Sequence, residues 1–317
     1  MVKPPRISVV IPTFNGAHFL FDTLASVQNQ DFHDWQVTIV VDGSTDDTVK
    51  LFRESRFSQD VRFELITKEN KGVSHSRNAG IGSSESEFIA FLDHDDIWHP
   101  SKLSEQISFM ENHPNYSSCM CWYLTSRKVG GHYSYKQMFL YDNSDNMLQN
   151  WLTLKGNGPG MSSTLLVRRT RLKHLFSQKF NAIGDLDFTA KLSLIGDIGI
   201  VKKPLVLYVQ HEKQMHKKLS SIADYLVYYS NIPEGVVDKY SLDVELLKIR
   251  VRNHLRFVGF IDEFLRTRNL RSRLRILMSS DLWQLSILSL VLGIVRKRTS
   301  GYTARLFHWR MINKLWN

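Results

Sequence analysis

Four residues, Asp93-His94-Asp95-Asp96, place three carboxylates directly after the apolar run Phe88–Leu92. Acids this close repel one another and resist ionisation unless a cation sits among them. Asp93 and Asp95 are two apart at the end of a strand. They can face one divalent ion with hard oxygen ligands. His94 lies on the opposite face of an extended segment and is left out of that set. The competing reading is a solvated acidic loop or a helix cap ahead of Pro100.

The neighbouring pattern favours the ion. Ile7–Ile11 is a β-branched run read as a buried strand ending at Pro12, followed by the loop Thr13-Phe14-Asn15-Gly16. Phe19, Leu20, Leu24 and Val27 fall at helical spacing. Val37–Val41 is a second strand, closed by Asp42-Gly43-Ser44, and Thr45 or Asp46 can cap the helix after it. Residues 61–66 form a third strand, 73–81 a helix, 88–92 a fourth strand and 102–110 another helix. Alternating strands and helices predict an open α/β sheet. Ligands in such sheets bind at the carboxyl ends of strands. Asn15, Asp42 and Asp93 to Asp96 all lie there.

Residues 117–124 and 162–167 read as strands, with a Gly- and Tyr-rich excursion between them and a loop at 155–160. Residues 185–194 carry a helical pattern, with Asp185 and Asp187 in its first turn. Those two acids suit a helix N-terminus without any further role. Residues 198–209 hold one or two strands broken near Pro204. After about Met215 the texture turns helical, with Leu246, Val251, Leu255, Val258 and Ile261 on one face.

The chain has 317 residues, 43% hydrophobic, and a net charge of +10. Residues 1–213 hold 23 Lys+Arg against 23 Asp+Glu, so the excess lies in residues 214–317, with 18 against 8. A basic helical appendage on a neutral domain suits a polyanionic surface. Two cysteines, Cys119 and Cys121, are too few and too close for a disulfide framework or a zinc site. They read as buried free thiols, which fits a reducing cytosol. No apolar signal region precedes the first strand. The 14-residue apolar stretch 282–295 is about 21 Å long as a helix, short of a hydrocarbon core of about 30 Å. It suits an in-plane membrane helix, a packed core helix or a homodimer surface.

The motifs VVIPTFNG (9–16), VVDGSTDDT (40–48), NKGVSHSRNAG (70–80), FLDHDD (91–96), GDLDFTAKL (184–192) and LYVQH (207–211) occur in this order. Together they resemble the family 2 inverting glycosyltransferases of the GT-A fold, over about residues 6–212. The resemblance implies a Rossmann-like mixed sheet flanked by helices; the C-terminal helical appendage is read from the helical texture after Met215, which the resemblance does not determine. Residues 1–215 would be the transferase domain, with a donor half to about 115 and an acceptor half beyond it. Residues 216–317 would be the basic helical region.

By the same resemblance, Thr13 and Asn15 meet the nucleotide of a uridine-linked sugar donor. Asp42 accepts from the uracil or its ribose, and Arg77 faces the nucleotide. Val41 stands where many relatives have a first acid. Asp95 is the direct ligand of Mg²⁺ or Mn²⁺. Asp93 reaches the ion or the ribose, Asp96 contacts the donor sugar or braces the site, and His211 completes the metal or diphosphate site. Asp185 is the general base, with Asp187 as the alternative, and Gly184 replaces the Glu that often precedes it. The implied acceptor is a glycan or a polyprenyl-diphosphate-linked saccharide. That predicts a cytoplasmic protein, peripheral on the inner face of the membrane and held by anionic lipid.

Other transferases share a nucleotide-plus-metal scaffold, including nucleotidyltransferases, and a donor-binding chain without turnover is a further alternative. A nicotinamide oxidoreductase is disfavoured, because PTFNG offers no glycine-rich fingerprint after the first strand. The basic tail alone would fit nucleic-acid binding, but neither an RNA-recognition signature nor a zinc-finger pattern is present, so no nucleic-acid partner is expected.

Overall fold

The computed structural model describes residues 4–129, 132–139, 144–153, 162–180, 183–211, 220–249 and 251–252. Four parallel strands build the first half: β1 (Ile7–Thr13), β2 (Trp35–Asp42), β3 (Phe63–Lys68) and β4 (Phe88–Phe91). They lie in the order β3-β2-β1-β4. Residues Ile7 to Thr13 of β1 are all buried, as a strand covered on both faces requires. Three helices cross over between these strands: α1 (Leu20–Gln28), α2 (Thr48–Glu54) and α3 (Val73–Gly82). α1 buries Leu20, Leu24 and Val27, the stripe expected from their spacing. α3 lies so close to β1 that a Cβ on Gly80 would come 2.3 Å from Val10 Cγ1.

Pro12 does not end β1. The strand continues to Thr13, with Pro12 opposite Val40 of β2. Val10 O accepts from Leu92 N on the β4 side. Pro12, two residues on, faces that same side beyond the end of β4, so its missing N–H leaves no ladder bond unmade. β3 begins at Phe63, two residues later than its apolar run suggests, and Val61 is almost fully exposed.

The second half makes the sheet mixed. It contains β5 (Ile97–Trp98), α4 (Lys102–Asn112), β6 (Ser118–Val129), β7 (His132–Phe139), α5 (Ser144–Leu152), β8 (Leu166–Arg168), α6 (Gly184–Leu192) and β9 (Ile198–Gln210). The full order is β3-β2-β1-β4-β8-β6-β9-β5, with β7 paired to β6. β8 runs antiparallel to β4 and β6, whereas β9 runs parallel to β6. Pro204 does not split β9 in two. It sits opposite Trp122 where the register shifts, a bulge that absorbs the missing donor. Ser162–Thr164, read as the start of a strand, form a 3-10 turn ahead of β8.

Cys119 and Cys121 are free and buried under α4, as expected. Two further helices follow, α7 (Ser220–Tyr229) and α8 (Glu234–Tyr240). Contacts divide the chain into residues 1–242 and 243–317, so α7 and α8 belong to the first unit. Leu247 and Val251 are buried while Leu246 is exposed, so the apolar face here is set one residue away from Leu246. The expected positions Leu255, Val258 and Ile261, the apolar stretch 282–295 and the loop 155–160 lie outside the described residues. Among the described residues, no helix is long and apolar enough to cross a membrane.

Candidate active site

The carboxyl ends of β1, β2 and β4 bring the predicted polar residues to one rim of the sheet. Asn15, in the left-handed region at φ 50°, turns the chain out of β1. Its Oδ1 accepts from Thr45 N at 2.8 Å, and its own N–H donates to Ser44 Oγ at 3.0 Å. Gly16 N donates to Thr48 Oγ1, and Ala17 N to Asp46 Oδ2. These bonds pin the loop after β1 to the loop after β2. Thr13 Oγ1 is buried with no hydrogen-bond partner among the described residues, an unmet group at the head of this rim.

Asp42 is held from the neighbouring loop. Its Oδ1 accepts from Lys71 N at 2.9 Å, its Oδ2 accepts from Gly72 N at 2.8 Å, and the Lys68 ammonium pairs with it. Burial alone would raise the Asp42 carboxyl, but Lys68 and the two backbone donors outweigh it and hold the group below its ordinary value. Lys68 was missed from the sequence. It ends β3 directly across the ladder from Asp42, a pairing that cannot be seen without the register.

Asp93, Arg77 and Asp185 form the centre of the site. The Arg77 guanidinium is buried, with only 4% of its side chain exposed. Its Nη1 donates to Asp185 Oδ1 at 2.5 Å, and its Nη2 donates to Asp93 Oδ1 at 2.7 Å and to Ser162 Oγ at 2.6 Å. Ser162 N donates to Asp185 Oδ2 at 3.3 Å. The ring of Phe176 lies 5.1 Å below the guanidinium and is stacked on Phe188 of α6 at 3.9 Å. Arg77, expected to face a nucleotide, thus joins the end of β4 to the start of α6.

Burial drives the Asp185 carboxyl up and Arg77 opposes it; with the charge of Asp93 added, the group lies at about 6. Asp187 turns elsewhere. Its side chain is 3% exposed and paired with Lys191 at 2.7 Å, whereas Asp185 is the acid of this turn that joins Arg77 and Ser162. Gly184 is explained by packing, since a Cβ there would come 2.9 Å from Ser74 Oγ of α3.

Asp95 and His211 meet across the rim, with Nε2 to Oδ2 at 2.7 Å. The His211 ring stacks on Phe19 at 4.5 Å. Burial would raise the Asp95 carboxyl, but the His211 hydrogen bond and the nearby histidines bring it below its ordinary value. Asp96 is inside. It accepts from Ser163 Oγ at 2.5 Å and from Val209 N at 3.4 Å. Burial, with the charges of Asp95 and Asp93, pushes it well above a carboxylate's usual range. Asp96 therefore ties the loop after β4 to β9 and to the 162–164 turn, a bracing role.

Ser162 and Ser163 were not singled out from the sequence, because their bonds reach 67 to 85 residues back along the chain. Among the described residues, no group of three His, Cys, Asp or Glu side chains converges as a complete metal site. A divalent ion shared with a diphosphate needs fewer protein ligands, one or two carboxylates being usual for Mg²⁺. Asp95 and Asp93, 14% and 31% exposed on the same loop, offer that donor set.

A parallel half-sheet with acids at its carboxyl rim, joined to a mixed half that carries a further acid on a helix N-terminus, is a GT-A-like Rossmannoid architecture. The model of the family described as "Glycosyl transferase family 2" matches residues 8–176, more than half the chain, and the chain belongs to that family. An uncharacterized glycosyltransferase of Rickettsia bellii is 35% identical over 111 residues, which is 35% of this chain and 16% of that protein. The Escherichia coli UDP-Glc:alpha-D-GlcNAc-diphosphoundecaprenol beta-1,3-glucosyltransferase WfgD is 38% identical over 105 residues, 33% of this chain and 40% of that protein. The matches thus span less than half the length of these two relatives. Among solved structures, S. aureus TarS 1-349 in complex with UDP-GlcNAc superposes with a TM-score of 0.59 at 19% identity, covering 86% of this chain and 78% of that one. The Pyrobaculum calidifontis mannosyltransferase PcManGT, in complex with GDP-Man and Mn2+, gives a TM-score of 0.57 at 14% identity over 99% and 87% of the two chains. At these identities the likeness is one of fold.

Proposed function

We propose that this chain transfers a sugar from a nucleotide-sugar donor to a hydroxyl of a saccharide acceptor, inverting the anomeric carbon in a single displacement. The observation that carries the reading is the link from Asp93 through Arg77 to Asp185. It sets a carboxylate on the donor rim and a carboxylate on the opposite helix a fixed distance apart, with one guanidinium between them. Family membership supports sugar transfer as the class of reaction.

The donor is placed with its base and ribose at Asp42 and Thr13 and its diphosphate at Asp93 and Asp95. A uridine nucleotide is preferred, since its base offers an N–H to a fixed acceptor such as Asp42. The relative named for a UDP-linked donor favours the same choice. Mg²⁺ or Mn²⁺ held by Asp95, with Asp93 and His211 beside it, would neutralise the departing nucleoside diphosphate. Asp185 takes the proton of the attacking hydroxyl. An acid that titrates at about 6 is ionised at neutral pH and remains basic enough for that task. Attack from the side of Asp185, opposite the leaving group, inverts the configuration.

The acceptor is read as a polyprenyl-diphosphate-linked saccharide or another glycan. The E. coli relative is named for a diphosphoundecaprenol-linked acceptor. A lipid-linked acceptor calls for peripheral attachment to an anionic membrane face. The test is a panel of UDP-sugars with lipid-linked and free saccharides, with the product anomer read by NMR. Transfer with inversion supports the reading. Retention of configuration, or transfer of a nucleotidyl group instead of a sugar, contradicts it.

A further inference from the structure

Residues 146–184 contain six Lys or Arg and no Asp or Glu. The structure exposes much of this excess in one strip. Arg169, Lys173, His174 and Leu175 are exposed, Arg171 is half-buried, and none of residues 169–175 is buried. Among the described residues, Arg169, Arg171 and Lys173 make no ion pair, whereas Arg168 just before them pairs with Glu87 and donates to Met110 O. Glu85 and Glu87 border Arg169 on one side, and the Glu87 carboxylate is already shared by Arg6 and Arg168.

The strip is fixed at both ends. Arg168 N donates to Ser117 O and Arg169 N to Glu87 O, each at 2.9 Å. At the far end, the Asn78 amide of α3 bonds both the C=O and the N–H of Phe176 at 2.9 Å. Phe176 is the ring beneath Arg77. The chain thus runs from Arg168, opposite Phe88 at the start of β4, to the flank of the candidate base. Its backbone is anchored at both ends, while no side chain from Arg169 to Leu175 is fully buried.

We infer that the strip Arg169–Lys173, with the half-exposed Leu175 at its end, docks on an anionic lipid bilayer. Three unpaired cations beside an exposed aliphatic group match an interface that is negative at the headgroups and apolar beneath. Phe176, the one Phe, Tyr or Trp of the segment, is buried, and the small imidazole of His174 is its one exposed ring, a poor platform for base stacking, which disfavours single-stranded nucleic acid. As an explanation of how a lipid-linked acceptor reaches Asp185, this docking rests on the proposed transferase reading; as a binding surface it does not.

The full chain is tested by co-sedimentation with phosphatidylcholine vesicles, with and without phosphatidylglycerol, at low salt. The R169Q/R171Q/K173Q variant should partition about a hundredfold less onto the anionic vesicles, since each cation near such a surface contributes comparably. K50Q/R53Q/R56Q, which removes the same charge from exposed positions of and after α2, should bind nearly as wild type, and L175S should weaken binding further in the strip variant. Equal loss in both triple variants, no loss in the strip variant, or no binding of wild type to anionic vesicles would overturn the inference. Unchanged vesicle binding with lost affinity for inorganic pyrophosphate would make the strip a soluble-phosphate site and overturn it as well. UDP titration of the same proteins separates this outcome from failure of the donor site.

Discussion

Arg77 Nη1 lies 2.5 Å from Asp185 Oδ1, while the other terminal nitrogen of the same guanidinium holds Asp93 at 2.7 Å. One buried cation therefore sits between two carboxylates 92 residues apart in sequence. Breaking such a pair by removing one partner leaves an uncompensated buried charge. The arrangement ties the position of the acid on α6 to that of the acid after β4.

If Asp185 is the base, Asp185→Asn keeps donor binding and loses transfer by roughly 10²–10⁴-fold. Steady-state transfer and a UDP titration of the same protein check the two halves separately. Transfer retained within a factor of a few would move the proton to another acceptor group.

The pH profile follows from the sign of the Asp185 shift. Burial raises the group to about 6 against the pull of Arg77, and the ionised form is the base. Activity should fall as pH drops through about 6. Arg77→Lys keeps a charge but loses the planar fork, so the acidic limb should move above 6 and kcat should fall while the protein remains folded. A kcat loss with an unmoved limb would mean that Arg77 does not set the ionisation of the catalytic base.

Asp42→Asn removes a charge that two backbone N–H groups and Lys68 all address. Charge-assisted hydrogen bonds of this kind are worth about 1.5–3 kcal/mol each. The loop 70–72 should loosen and UDP affinity should drop by at least tenfold. Calorimetric titration checks this, and undiminished affinity would place the nucleotide elsewhere.

Lys102 gives a stability prediction independent of the site. It is fully buried, its Nζ has no hydrogen-bond partner among the described residues, and it lies 3.7 Å over the Trp98 ring. Burial lowers it from 10.5 to about 8. Below about 8 the amine is charged in both folded and unfolded states, and the burial cost is fully felt. Between about 8 and 10.5 only the unfolded state is protonated, so stability should rise with pH. Lys102→Met should stabilise the protein at pH 7 by roughly 1–3 kcal/mol, the ring face offsetting part of the desolvation. That advantage should shrink toward pH 10.5 in urea unfolding; a Met variant that is less stable at pH 7 contradicts it.

The sequence made the rim legible because parallel strands buried on both faces leave unbroken β-branched runs, and the polar residues that end them stand out. Asn15, Asp42, Asp93 and Asp95 were found in that way. The partners of these groups were not legible. Lys68 depends on the β2–β3 register, Ser162 and Ser163 on a turn far along the chain, and Phe19 on a stack with His211. β7 escaped notice inside the Gly- and Tyr-rich excursion before residue 155, and α5 was passed over there although Leu148, Trp151 and Leu152 fall at helical spacing and are buried. The link between Arg77 and Asp185 is the largest gap, since nothing in the spacing of 77 and 185 brings them together.

UDP binding to the wild type and to Asp95→Asn, each with and without Mn²⁺, tests the central claim of a nucleotide-diphosphate site at the strand ends most directly. Followed by chemical unfolding, a ligand at 100 times its Kd should add about 2.7 kcal/mol to stability. The account predicts that this gain appears in the wild type only when UDP and Mn²⁺ are both present, and is lost in Asp95→Asn. A gain of the same size in the variant, or none in the wild type with UDP and Mn²⁺, would contradict it.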